Sequence, residues 1–210
     1  MRQAAIFLAI ASALVAGEVL LLSPLESGVV AELNKLRLKP PAYAPVLTAR
    51  RPYYDGKFLR VPGHMDMLTE EGVRPLDDAV KLLETMHGDV GQLTASSGLS
   101  RAAADQVHDT GAAGAVGHQG SDGSTFDKRI ARYGKWSGDV AESIVFGGDT
   151  PEDVVVQMLV DDGVEGRGHR YAALNSRWRF VGVACGPHAQ YKTMCVLDYA
   201  SDFKERSGVK

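Results

Sequence analysis

The stretch GRGHRYAALNSRWRFVGVACG, residues 166–186, decides how this chain is read. It joins a glycine-flanked histidine, His169, to a β-prone run over 180–185 that ends on Cys185. A second β-prone run follows at 194–199 with a Gly-Pro turn region between the two, and the pattern predicts a hairpin. Cys185 and Cys195 fall near the same end of that hairpin. In an oxidising compartment such a pair forms a disulfide, and two reduced core thiols are the alternative. There is no CxxC pair to suggest a thiolate metal site.

Upstream of this stretch the periodicity is helical. Val29, Val30, Leu33 and Leu36 form an apolar stripe over 25–38, which Pro40 and Pro41 end. Residues 42–74 are rich in Pro, Tyr and Gly with little periodicity, and read as a long loop. Leu76, Val80, Leu83 and Met86 predict a helix over 75–87, closed by Gly88. An Ala-rich helix is predicted over 99–110 and a short one over 125–133, with 111–125 too rich in Gly for regular structure. Thr150-Pro151-Glu152-Asp153 combines a cap, a first-turn proline and two acids at the positive end of a helix dipole. That helix is predicted to run to about 162. Helices first and a strand pair last imply a layered α+β domain rather than alternating βαβ units.

The composition is ordinary for a globular protein: 210 residues, 45% hydrophobic and 23% charged. A net charge of −3 argues against a phosphate-backbone binder, so no nucleic-acid partner is expected. Residues 1–17, MRQAAIFLAIASALVAG, place Arg2 before an uncharged stretch and small residues, the layout of a secretory signal peptide with cleavage as late as residue 25. Glu18 and Pro24 interrupt the apolar segment, so a continuous span of about 20 residues is absent, and a retained N-terminal anchor is the alternative. The expected location is secreted, extracellular or periplasmic. The polar tail 204–210 is expected to fray.

Three polar groups stand in suggestive settings: His118 in AVGHQGSDGS, Glu142 in DVAESIVFGG and His169 in EGRGHRYAALN. Imidazoles and carboxylates suit a divalent metal or acid–base work. Their spacing follows no short ligand rule, and hydrogen-bonded structural histidines are the plain alternative. If the helix from 150 continues, Asp162 shares a face with Val155, Met158 and Leu159, so Asp162 rather than Asp161 is expected to point into a cleft, with Arg167 or Arg170 able to compensate its charge. His188 reads as an exposed turn residue, and His64, His87 and His108 as structural. No G-x-S-x-G, H-E-x-x-H, Walker or Rossmann fingerprint is present.

These residues resemble a known family. Over roughly 26–203 the sequence is similar to a CAP domain, the superfamily of cysteine-rich secretory proteins, antigen 5 proteins and class-1 pathogenesis-related proteins, in its bacterial secreted, SCP-like form. The resemblance rests on VVAELNKLR (29–37), His118 in GHQGSDGS, Ala141-Glu142-Ser143-Ile144, Gly168-His169-Arg170, and the run from Trp178 to Val183. It implies an α-β-α sandwich with a three-stranded antiparallel sheet between helices. It also implies a central cleft of two His and two acids that binds Zn²⁺ or another divalent ion in several members. His118, Glu142 and His169 take three of those places. Asp162 stands at the position of the family's second Glu, with Leu159 where a Trp is common; Ala141 and Ser143 also depart from the family's Gly and Asn.

The function so implied is a secreted binding module whose cleft receives a metal together with a small ligand, lipid or extracellular protein. Two alternatives use the same residues. A metal-dependent hydrolase requires the His118 and His169 nitrogens within about 4 Å across the cleft. A structural envelope protein with a vestigial cleft predicts these side chains turned apart or capped by Arg167 or Arg170.

Overall fold

The computed structural model describes residues 22–63 and 66–206. The expected signal segment, His64 and residues 207–210 lie outside the described residues. Helix α1 (Pro24–Leu38) begins with a capping box. Glu26 Oε2 accepts from the Ser23 amide at 2.7 Å, and Ser23 Oγ accepts from the Glu26 amide at 3.3 Å. The other carboxylate oxygen of Glu26 accepts the Cys185 amide at 2.9 Å, which ties the start of the helix to the central sheet. The apolar stripe faces inward, and two polar residues go with it: Asn34 and Arg37 are buried. Asn34 exchanges two hydrogen bonds with the backbone of Leu93. Arg37 donates to the carbonyl oxygens of Val90, Gly91, Ala173 and Asn175, and burial lowers its guanidinium to about 10.

The segment expected as a long loop is ordered and has elements of its own. Pro40 and Pro41 end α1 but also start α2 (Pro40–Thr48), because the first helical position needs no amide donor. A 3-10 turn (Arg51–Tyr53) leads into β1 (Tyr54–Asp55), β2 (Phe58–Leu59) and β3 (Met67–Leu68), a small antiparallel sheet in the order β1-β2-β3. We call residues 54–63 and 66–72 the strap. Helix α3 (Arg74–Thr85) follows.

The central sheet has the order β4-β6-β7-β5. β5 (Gly134–Phe146), β6 (Phe180–His188) and β7 (Lys192–Glu205) are long and antiparallel, as the family resemblance implied. β4 (Thr94–Ala95) adds a short parallel edge strand beside β6, which was not expected. On one face lie α1, α2, α3 and α6 (Pro151–Val160), with Leu33, Leu47, Leu83, Val155, Leu197 and Tyr199 in one core. The other face is covered by α4 (Ser97–Thr110) and α5 (Phe126–Tyr133) through Leu99, Ala103, Val107, Ile130 and Phe203. The result is the α-β-α layering of an α+β protein. Where α4 crosses β6 only glycine fits, since a Cβ on Gly182 would lie 2.1 Å from the carbonyl carbon of Leu99.

Cys185 and Cys195 are paired in register on β6 and β7 and form the disulfide, with Cα atoms 4.1 Å apart. β7 runs through Glu205 instead of fraying from 204. The Glu205 Oε1 accepts from Ser96 Oγ at 2.8 Å and the Gly98 amide at 3.0 Å, capping α4. His188 is not an exposed turn residue: it is 2% exposed, packed edge-on to Phe146 and stacked with Tyr191. Its Nε2 donates to the Ala115 carbonyl and its Nδ1 accepts the Gln190 and Tyr191 amides, so the turn is built around the ring.

Candidate functional site

The long edge strand of the central sheet supplies the first half of the site. Glu142 lies on β5 with a fully buried side chain. Its Oε1 meets His118 Nδ1 at 2.8 Å, and its Oε2 accepts from Arg129 Nη2 at 2.6 Å. Arg129, from α5, also donates to the backbone carbonyl of His118 from both Nη atoms at 3.2 Å. Ring and backbone of His118 are therefore held by one buried ion pair. Because a carboxylate can only accept, His118 Nδ1 carries the hydrogen, and Nε2 is left toward solvent.

Beneath this pair sits a group that the sequence reading missed. Asp198 on β7 is the register partner of Glu142 and is fully buried, with no hydrogen-bond partner for either carboxylate oxygen. Burial first, and the Glu142 charge second, push its carboxyl well above the usual carboxylate range, against a smaller opposing pull from Arg129. The signal was present: a lone acid inside the apolar run CVLDYA.

The second half of the site forms where α6 ends. The helix stops at Val160, two residues before the sequence reading ended it, and Asp161 adopts a left-handed conformation (φ 53°, ψ 46°). That turn folds its carboxylate onto the N-terminus of α7 (Gly168–Leu174). Asp161 Oδ2 accepts the amides of His169 at 2.9 Å and Arg170 at 3.2 Å, and Oδ1 meets His169 Nδ1 at 2.7 Å. The expectation for Asp162 is corrected: it lies one residue too far along to meet His169. Its carboxylate accepts the amides of Glu70 at 2.6 Å and Glu71 at 2.9 Å and anchors the strap. Nor do the nearby arginines neutralise either aspartate side chain. Arg167 pairs with Glu71 at 2.6 Å, and Arg170 donates to the carbonyls of Leu159, Val160 and Pro75. Arg167 holds Glu71 down to about 2.

The structure thus brings together His118 with Glu142 and His169 with Asp161. The imidazoles face each other with ring centroids 6.3 Å apart and planes inclined by 42°. Neither Nε2 has a hydrogen-bond partner among the described residues. A zinc ion about 2.0–2.1 Å from two imidazole nitrogens puts their centroids roughly 5–6 Å apart, and the observed spacing lies just beyond that range. The carboxylates decide the matter. All four oxygens of Glu142 and Asp161 are already spent on imidazole, guanidinium or amide hydrogens, and both side chains are sealed from solvent. Among the described residues no group of three or more His, Cys, Asp or Glu is arranged to hold a metal. The residues do not fit a four-ligand zinc site; Glu142 and Asp161 position imidazoles instead.

Beside His169 the cleft opens into a cavity of about 510 Å³ between the strap, α6 and the end of β5. The His87 and His108 side chains take no part in the two dyads.

The family described as CAP, the cysteine-rich secretory protein family, matches residues 32–199. Among solved structures, an outer surface protein from Borrelia burgdorferi is similar at 18% identity, covering 55% of this chain and 80% of that one with a TM-score of 0.45. No curated protein matches.

Proposed function

We propose, from the premise that this chain belongs to the CAP family of cysteine-rich secretory proteins, that it is an exported binding module and that its ligand is held at the opposed imidazoles of His118 and His169. One observation carries this reading: two imidazoles face one cleft, each fixed through Nδ1 by a buried carboxylate, and each keeps Nε2 open. In the neutral ring that nitrogen is an acceptor, and its orientation is set before any ligand arrives. Export is supported by the hydrophobic leader and by the Cys185–Cys195 disulfide, a bond that persists in oxidising compartments. No helix among the described residues is long and apolar enough to cross a membrane.

The carboxylates that would complete a zinc site are engaged, so the imidazoles meet a ligand without them. Zinc serves instead as a probe of the two Nε2 atoms. Titration by calorimetry and nitrogen-15 NMR tests the site on the wild type and on a His118→Ala/His169→Ala double variant. The expected result is weak binding that shifts both Nε2 resonances and disappears in the double variant, far short of the roughly 10–16 kcal/mol of structural zinc sites. Zinc binding unchanged in the double variant would overturn the claim that the imidazoles form one open site.

A further inference from the structure

The spacing of the two imidazoles lies just beyond what a shared zinc ion would set, and it matches something else. A hydrogen bond to nitrogen is longer than a zinc bond. A donor nitrogen about 2.9 Å from each Nε2, bonding at the tetrahedral angle, puts the ring centroids roughly 6–7 Å apart. The observed 6.3 Å falls inside that range.

The tautomers say what the ligand must bring. Nδ1 of each ring donates to a buried carboxylate, so each neutral ring offers Nε2 only as an acceptor, and the carboxylate behind it strengthens that acceptor. No oxygen of Glu142 or Asp161 is left over, so the two nitrogens act alone. A group that bridges them needs two hydrogens on one atom. A hydroxyl carries one and a carboxylate none, whereas a primary ammonium carries three on a compact, freely rotating head.

Charge favours a cation over a neutral amide. Asp153, Asp161 and Asp162 line the opening beside His169. Among the described residues no Lys or Arg side chain pairs with the carboxylate of Asp161 or Asp162, which are held by amides and by the His169 ring. Arg50 is the sole Lys or Arg among the described lining residues, and it is committed to Glu152 and Asp153 at 2.8 Å each. Arg167 and Arg170 are turned to Glu71 and to backbone carbonyls. On the other side Arg129 balances Glu142, so the pull on a cation is strongest at His169.

We infer that the opposed imidazoles of His118 and His169 bind a primary ammonium, each Nε2 accepting one of its hydrogens. The inference rests on the binding-module reading and names the ligand class of that same site. Such a head is carried by free alkylamines and by lysine side chains. The test is titration of the full chain at pH 8, in the presence of a chelator, with butylammonium and with Nα-acetyl-lysine methylamide. Calorimetry gives the affinity and nitrogen-15 NMR reports the two rings. Both probes are expected to shift both Nε2 resonances. Tetramethylammonium, which has the charge but no N–H, is expected to bind about tenfold or more weakly at the same ionic strength, the scale of a hydrogen bond to a charged group. His118→Ala and His169→Ala are each expected to lose about tenfold or more, since one ring leaves one acceptor. The His118 side chain is half exposed, so its variant keeps the test open if the other fails to fold. Asp161→Asn, which turns His169 Nε2 into a donor, is expected to cost a similar factor. Tighter binding of the lysine derivative than of butylammonium assigns the head to a polypeptide side chain, and equal affinity assigns it to a free amine.

Tetramethylammonium binding as well as butylammonium would overturn the hydrogen-bonded assignment. Full affinity in either single histidine variant would overturn the bridge. Failure of both amines while zinc still shifts both imidazoles would overturn this inference alone. Loss of the zinc response in the wild type as well would bring down the binding-module reading.

Discussion

Replacing Asp161 by Asn tests the arrangement of the site at a single atom. Asn matches Asp in shape and tolerates the left-handed backbone found there, so conformational strain does not confuse the result. The Asn carbonyl oxygen can still accept the His169 and Arg170 amides, but the group facing His169 Nδ1 becomes a donor. The ring must then accept at Nδ1 and move its hydrogen to Nε2. Three charge-assisted bonds become neutral ones. At about 1 kcal/mol for each, with a few tenths more from the lost charge at the N-terminus of α7, the expected destabilisation is about 2–4 kcal/mol. For a chain of this size that is roughly 5–15 °C in melting temperature. Long-range nitrogen-15 NMR distinguishes the tautomers directly, and calorimetry gives the stability. Asp162→Asn is the control: it loosens the strap but leaves the His169 tautomer alone. If Asp161→Asn kept the hydrogen on Nδ1, or if the Asp162 variant were the one that changed the ring, the assignment of the dyad would be wrong.

Three further outcomes are expected. Asp198→Asn removes a carboxyl whose folded-state affinity for its proton is raised, so the wild type should lose stability relative to the variant as pH climbs from about 4 toward neutral; superimposable urea midpoints for the two proteins over that range would refute it. Gly182→Ala forces a Cβ into the Leu99 backbone and should cost about 3 kcal/mol or more, read as a fall in melting temperature; an unchanged value would mean that α4 and β6 do not cross as closely as described. Arg37→Met leaves a set of carbonyls from two separate segments without their shared donor, with an expected loss of about 3–5 kcal/mol in denaturant unfolding; a neutral effect would show that water replaces the guanidinium.

The elements that could be read in the sequence are those whose side chains report a period or a cap. The stripe of α1, the Thr150 start of α6 and the two apolar runs of the hairpin are of this kind. β5 escaped because its first half, GKWSGD, is solvent-facing, with a register shift between Ser137 and Val140 that hides any alternation. The strap escaped because strands of two residues are too short to carry a period, and α2 because prolines that stop one helix also start the next. Of the site, His118, Glu142 and His169 were recoverable from the family resemblance, yet their pairing was not. A helical wheel assigns faces only while the helix continues, and the left-handed residue at Asp161 moved the acid that matters by one place. The role of Glu142 was hidden for a related reason: a ligand and a carboxylate that orients a ligand look alike until Arg129 is seen on its second oxygen.

Asp161 and Asp162 are joined by one peptide bond, yet one aims an imidazole and the other moors the flap above the cavity. The orientation of His169 and the fastening of the strap are thus both set at one turn of the chain, where the left-handed residue sends two neighbouring carboxylates to different tasks.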